Sequence, residues 1–239
     1  MKKLLLFVCT FSILSAFAAK PKNQYVRIKT EQGECIIKLY NETPLHRDNF
    51  LKLTKEGFYN GTLFHRVIKG FMIQGGDPES KNAKPDSFLG NGDAGYTIPA
   101  EFRDSLFHKK GVLAAARNNN PQKASSGCQF YLVQGNVFTD AQLNDLEEKR
   151  LKFKIPEWQR QVYKTIGGTP FLDRNYTVYG EIVQGLDMVD KIAALTVDRN
   201  NRPNQDVKME ITILEKREAK KLEKQLLKGT LKDKMVMKS

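Results

Sequence analysis

The sequence predicts a mainly β fold: a closed antiparallel β-barrel capped by helices, with a helical insertion late in the chain. Three observations carry this. Short apolar or alternating segments recur along the chain, each bounded by Gly, Pro, Asn or Asp. Helical periodicity is confined to a few stretches. The 239 residues, 40% of them hydrophobic, hold enough apolar material for one well-buried core, and no segment repeats at a fixed period. Many short strands around one core suit a closed barrel, which leaves no free edge.

Residues 1–18 stand apart from the fold. Lys2 and Lys3 precede an apolar run from Leu4 to Leu14, and Ala16-Phe17-Ala18 has the small-x-small form of a cleavage site. The segment reads as a secretory signal peptide, too short to span a membrane comfortably; an uncleaved anchor is the other reading. Cys9 lies inside the apolar run and not at the cleavage point, so lipidation is not expected. The expected destination is export, to the periplasm of a Gram-negative-type bacterium.

Residues 24–40 alternate as two strands joined at Gln32-Gly33. Pro44 opens a helix with Phe50, Leu51, Leu53 and Thr54 as its stripe, and Gly57 ends it. Strands are expected at 63–68 and 71–74, with a hairpin at Lys69-Gly70. A loop from Gly75 to Gly95 has no apolar period. Further strands are expected at 111–116, 128–134, 176–183 and 207–214, and a short helix between Gly185 and Leu195. Between Gly135 and Thr169 two helical pieces are expected, the first capped by Thr139 with Gln142 reaching back.

The domain map is therefore a body over 24–215, an insertion over 136–168 and a basic tail over 216–239. Of the net charge of +12, the tail carries +6 and residues 1–18 carry +2, which leaves the body near-ordinary. A uniformly basic nucleic-acid face is not what this pattern gives, and no nucleic-acid partner is expected. The tail reads as a solvated helix stopped by Gly229; contact with an anionic surface is the alternative. Cys35 shares a face with Ile37 and Leu39 and reads as a core thiol, with pairing to Cys128 as the alternative.

His46, His65 and His108 are scattered with no ligand spacing, so no metal is expected. Gly90-Asn91-Gly92 lacks the Gly-Lys-Ser/Thr ending of a phosphate loop. No nucleophile elbow or paired-carboxylate motif is present either. The informative run is Phe64-His65-Arg66-Val67-Ile68-Lys69-Gly70-Phe71-Met72-Ile73-Gln74-Gly75-Gly76-Asp77. Met72 and Gln74 share a strand face, and the hairpin folds that face back towards Arg66. A cation beside apolar walls, held by a neutral amide, can polarise a neutral polar bond in an apolar substrate. On spacing alone, a buried hairpin with one exposed arginine fits equally well.

This run resembles the signature of the cyclophilin-type peptidyl-prolyl cis-trans isomerases. Two further blocks resemble that family in the right order. In the first, Ala115-Ala116-Arg117 leads through Ser126 to Gln129-Phe130-Tyr131; the second is Phe171-Leu172-Asp173-Arg174-Asn175-Tyr176. The resemblance implies an isomerase of proline-containing polypeptides that assists the folding of exported proteins. It is expected to work as a monomer, without a cofactor.

It implies Arg66 and Gln74 as catalytic residues. Phe71, Met72, Tyr131, Leu172 and Tyr176 would surround the proline, Ala116 and Arg117 would offer backbone groups, and Gln129 would add a hydrogen bond. Tyr131 also fits a plain core aromatic, and where it replaces the commoner Phe its hydroxyl needs water or a partner. Phe171 stands where Trp is common, so weak binding of cyclosporin-type inhibitors is expected. The insertion reads either as a packed decoration or as a lid, because it leads directly into Phe171-Leu172.

Overall fold

The computed structural model describes residues 23–236 apart from Asp86; the proposed signal peptide lies outside the described residues. The chain opens with a hairpin of β1 (Gln24–Thr30) and β2 (Gly33–Leu39). Alternation is obeyed: Cys35, Ile37 and Leu39 point into the core. β3 (Arg66–Ile68), β4 (Met72–Gly75), β5 (Thr97–Ile98), β6 (Val112–Ala115), β7 (Ser125–Ser126) and β8 (Phe130–Val133) follow. β9 (Val178–Gln184) and β10 (Glu210–Ile213) complete the strands. Several are shorter than their apolar runs, because loop partners take the backbone bonds at their ends.

Eight strands form one antiparallel sheet in the order β10-β1-β2-β9-β6-β8-β4-β3, while β5 pairs with β7 separately. The sheet curls around its core but is not the closed barrel expected. Its edge strands, β10 and β3, do not pair with each other. The chain just before each one makes brief contact instead: Phe64 N–H donates to Val207 C=O, and Met209 N–H to Thr62 C=O, both at 2.9 Å. Beyond that point Val67 N–H turns to Asn201 C=O at 2.8 Å, so the outer edge of β3 is satisfied by a loop.

Helix α1 (Pro44–Lys55) and helix α4 (Asp187–Ala193) cap the curl. Phe50 and Leu53 from α1 and Met188, Val189 and Ile192 from α4 join the main core with Phe64, Phe130 and Leu132. Cys35 and Cys128 are both buried free thiols, pushed up to about 12 and about 11 by burial, so the pairing alternative is not realised.

The insertion holds α2 (Asp140–Leu146), a π-helical turn (Glu147–Leu151) and α3 (Glu157–Thr165). Thr139 caps α2 with Gln142 as a reciprocal partner, as the sequence predicts. Its small core joins Leu143, Leu151, Ile155 and Tyr163 to Phe107 of the body. Glu147 is buried and accepts from Arg160, Lys154 and the Ile155 N–H at 2.8–2.9 Å.

Helix α5 (Lys216–Val236) departs from expectation twice. It runs through Gly229 instead of stopping there, since that glycine is not among those at positive φ and keeps the helical path. It is also docked: buried Leu222 packs with Tyr25, Ile36 and Leu214 on the outside of the sheet. Glu223 accepts from Asn23 and Tyr25, and Glu218 from Arg27. None of the described helices is long and apolar enough to cross a membrane.

Candidate active site

The β3–β4 hairpin sets Arg66 opposite Gln74 and Ile68 opposite Met72. Gly70 makes the turn at φ +73°, a conformation that L side chains rarely adopt. Arg66 Nη1 donates to Gln74 Oε1 at 3.1 Å, and Gln74 Nε2 donates to Gln129 Oε1 at 2.9 Å. Gln129 Nε2 then donates to the carbonyl oxygens of Gly90 and Gly92 at 2.9 and 2.7 Å. The chain thus ends on peptide carbonyls. Half-burial lowers the Arg66 pKa, yet a guanidinium stays cationic, and no described carboxylate pairs with it.

The loop carbonyls are held in turn by Asp77, the last residue of the informative run. Its buried carboxylate accepts from the N–H groups of Glu79 and Gly90. A Cβ at Gly92 would collide with that carboxylate, which accounts for glycine there. Sequence reasoning missed this role; a buried Asp closing a Gly-Gly-Asp turn before Pro78 was the available signal.

Arg66, Phe71, Met72, Gln74, Ala116, Arg117, Tyr131, Leu172 and Tyr176 together line a cavity of about 110 Å³. The structure therefore gathers every candidate residue except two. Gln129 stands behind Gln74, and Phe171 packs on Phe71 with ring centroids 5.5 Å apart. Arg150, from the π-helical turn, lies over the outer face of Phe171 at 4.6 Å. A second depression, bordered by Gly92, Ala116, Asn118 and Ser126, adjoins the cavity along the Gln74–Arg117 rim.

The backbone groups of Ala116 are already engaged within the protein. Its N–H donates to Gln129 C=O and its C=O accepts from Ser126 N–H, because the chain here still continues the pairing of β6 beyond its end. Arg117 makes no backbone hydrogen bond to any described residue, so its groups are the ones open to a peptide. Its side chain reaches Asn175 C=O at 2.9 Å and covers the Tyr176 ring at 4.7 Å.

Behind the cavity floor lies a second hydrogen-bond chain that the sequence did not reveal. The Tyr131 hydroxyl is 2.9 Å from His108 Nε2, and His108 Nδ1 is 2.8 Å from Asp173 Oδ1. Tyr163, from the insertion, donates to Asp173 Oδ2 at 2.6 Å. Burial, with the neighbouring carboxylate and phenols, holds the Tyr131 and Tyr163 pKa values well above the usual phenol range. The partner demanded by the Tyr131 hydroxyl is therefore His108. Among the described residues, no three His, Cys, Asp or Glu side chains converge as a metal set requires.

Residues 25–213 match the family described as cyclophilin type peptidyl-prolyl cis-trans isomerase/CLD. The chain belongs to this family. A Staphylococcus saprophyticus protein named as a peptidyl-prolyl cis-trans isomerase is 34% identical over 179 residues, covering 74% of this chain and 85% of that protein. A Staphylococcus aureus protein of the same name is also 34% identical, over 77% of this chain and 88% of its own length. A Streptococcus pyogenes protein named as a bifunctional phosphatase/peptidyl-prolyl cis-trans isomerase is 36% identical, but this chain spans only 37% of it.

The cyclophilin fold is also seen directly in a solved structure. A Cryptosporidium parvum cyclophilin superposes with a TM-score of 0.59 at 22% identity, covering 81% of this chain and 99% of that one. The same protein has been solved in the presence of the dipeptide Ala-Pro, with a TM-score of 0.57. The family match ends at the last strand, so α5 lies beyond it.

Proposed function

We propose that this cyclophilin-type isomerase accelerates X-Pro rotation in exported polypeptides and so assists their folding. We further propose that Arg66 and Gln74 carry the chemistry. The uncatalysed rotation faces a resonance barrier of ~18–20 kcal/mol, which falls when the nitrogen lone pair is localised. Phe71, Met72, Tyr131 and Leu172 hold the proline ring by burial. Arg117 backbone groups anchor the preceding chain. Arg66 donates to the twisted amide, and Gln74 fixes its direction without cancelling its charge. Each tenfold in rate requires ~1.4 kcal/mol, so a few charge-assisted bonds stronger in the transition state suffice.

The observation that carries this reading is the cation held by an amide at the wall of an apolar cavity. The test is isomerisation of a proline peptide by the wild type and by Arg66→Ala. A fall of about 10²–10³-fold in kcat/KM with the fold intact is expected; unchanged turnover would overturn the assignment. Export to a periplasm is supported by the character of residues 1–18, and amino-terminal sequencing of the protein recovered from a periplasmic fraction tests it. A start at residue 19 is expected, and a retained Met1 would refute cleavage.

The same reading gives weak affinity for cyclosporin-type inhibitors, since Phe171 offers no indole N–H and its outer face is covered by Arg150. It takes the protein as a monomer. The tail is proposed to touch anionic surfaces through the lysines of α5.

A further inference from the structure

The proton positions in the chain behind the cavity follow from its anionic end. Asp173 Oδ1 lies 2.8 Å from both the backbone nitrogen and Nδ1 of His108. Nδ1 therefore carries a proton, because the other tautomer would set a lone pair against a carboxylate. With the imidazole neutral, Nε2 offers only a lone pair and accepts a hydrogen bond from the Tyr131 hydroxyl at 2.9 Å. Asp173 is fixed on its other oxygen by Tyr163. Tyr131, His108, Asp173 and Tyr163 are all buried, so water does not compete for these bonds.

We propose that His108, Asp173 and Tyr163 are positioning residues for the proline cavity: they hold the Tyr131 hydroxyl proton out of it, and the insertion anchors them. Tyr131 lines the cavity, whereas the other three do not. Released from His108, its hydroxyl is an unsatisfied donor beside the bound ring, or it holds a water the ring must displace. Either outcome disfavours an apolar proline ring. Tethered, the floor presents an aromatic wall that also packs on Tyr176 with centroids 6.0 Å apart. The insertion thereby acts on recognition of the unsubstituted ring from behind the wall, without reaching over the cavity as a lid.

This proposal rests on the isomerase reading, and the test separates the two. Dissociation constants for a proline-containing tetrapeptide are measured by NMR titration of the full chain, alongside kcat. The proteins are wild type, His108→Phe and Tyr163→Phe, with each substitution repeated on a Tyr131→Phe background. His108→Phe is expected to weaken binding about tenfold, and Tyr163→Phe about two- to threefold, with smaller changes in kcat. Both effects should vanish on the Tyr131→Phe background, where no hydroxyl remains to be misplaced. Equal weakening on both backgrounds would overturn the proposal, since the chain would then act only on the scaffold. If His108→Phe does not fold, Tyr163→Phe decides by the same comparison. Peptide binding that follows this pattern without turnover in any of the proteins would support the positioning role and defeat the isomerase reading.

Discussion

Two hydrogen-bond chains meet at the cavity, and they differ in how they end. The chain from Arg66 passes through two neutral amides to the carbonyls of Gly90 and Gly92. The chain from Tyr131 passes through an imidazole to the carboxylate of Asp173. An amide ending orients a cation and leaves its charge free for a substrate. A carboxylate ending draws a proton towards itself and makes the chain directional. One cavity thus has an electrophilic wall and an aromatic floor, and the terminal group of each chain decides which is which.

The sharpest way to break this contrast is to give the first chain the ending of the second. Gln74→Glu would pair Arg66 with a carboxylate less than one bond length from where the amide sits now. Its charge would then be neutralised, and the second carboxylate oxygen would face Gln129 Oε1 and break that link of the chain. Turnover should fall about tenfold in kcat while KM moves little, and a steady-state isomerase assay checks this. Retained activity would mean that the guanidinium serves for shape and not for charge.

The converse change is Asp173→Asn. An amide cannot accept from His108 twice and from Tyr163 without turning a donor onto one of them. A loss of about 1–3 kcal/mol in unfolding free energy is expected, read from urea denaturation at unchanged m-value. Peptide affinity should fall with it, and Arg66-dependent kcat should change less.

Acid offers a gentler probe of the insertion that anchors the second chain. Burial opposes the charge of Glu147, but hydrogen bonds from Lys154, the Ile155 N–H and Arg160 outweigh it and hold its pKa below the ordinary 4.5. The unfolded chain therefore binds the proton first. The stabilisation is fully present above pH 4.5 and is lost as pH falls through the lower folded value. Trp158, the only tryptophan of the chain, packs on Phe107 and reports this region by fluorescence. Its signal should change only at pH below about 4.5; a transition at higher pH would place the weak point elsewhere.

The smallest effect on turnover is expected from removing α5, which touches neither chain. Truncation after Glu215 should leave kcat/KM unchanged. It should lower stability by about 2–3 kcal/mol, chiefly by exposing the seat of Leu222. Thermal unfolding checks the second part and the isomerase assay the first.

These differences explain what the sequence disclosed. Arg66, Met72 and Gln74 sit within one hairpin, so period-two alternation and a Lys69-Gly70 turn are enough to place them on one face. The amide chain was half legible, because Gln129 belongs to a block of the family pattern, while its carbonyl endings depend on the path of a loop without periodicity. The Tyr131 chain joins residues 108, 131, 163 and 173 from four separate segments, and no local rule brings them together. The closed barrel failed for a similar reason. Alternation fixes which face a strand buries, but not whether its outer edge meets another strand or, as at Val67, a loop carbonyl. Gly229 shows the limit of turn signals, since an isolated glycine is tolerated where nothing requires it to leave the helix.

The pairing of β1 with β10 has a consequence for how the molecule comes into being. The first strand has β2 at hand on one side, but its other side finds Ile211 to Ile213 only near the end of the chain. Until those residues are available, Val26 and Ile28 lack their second neighbour, and the seat of α5 beside Tyr25 is incomplete. Closure across so long a sequence separation is entropically slow and concentrates cooperativity in one late event. A nascent chain that stops short of β10 would expose a β-strand edge and recruit whatever strand it meets first. An enzyme that accelerates rotation about prolyl bonds thus has, in its own topology, a slow step of a different kind, the closure of β1 on β10.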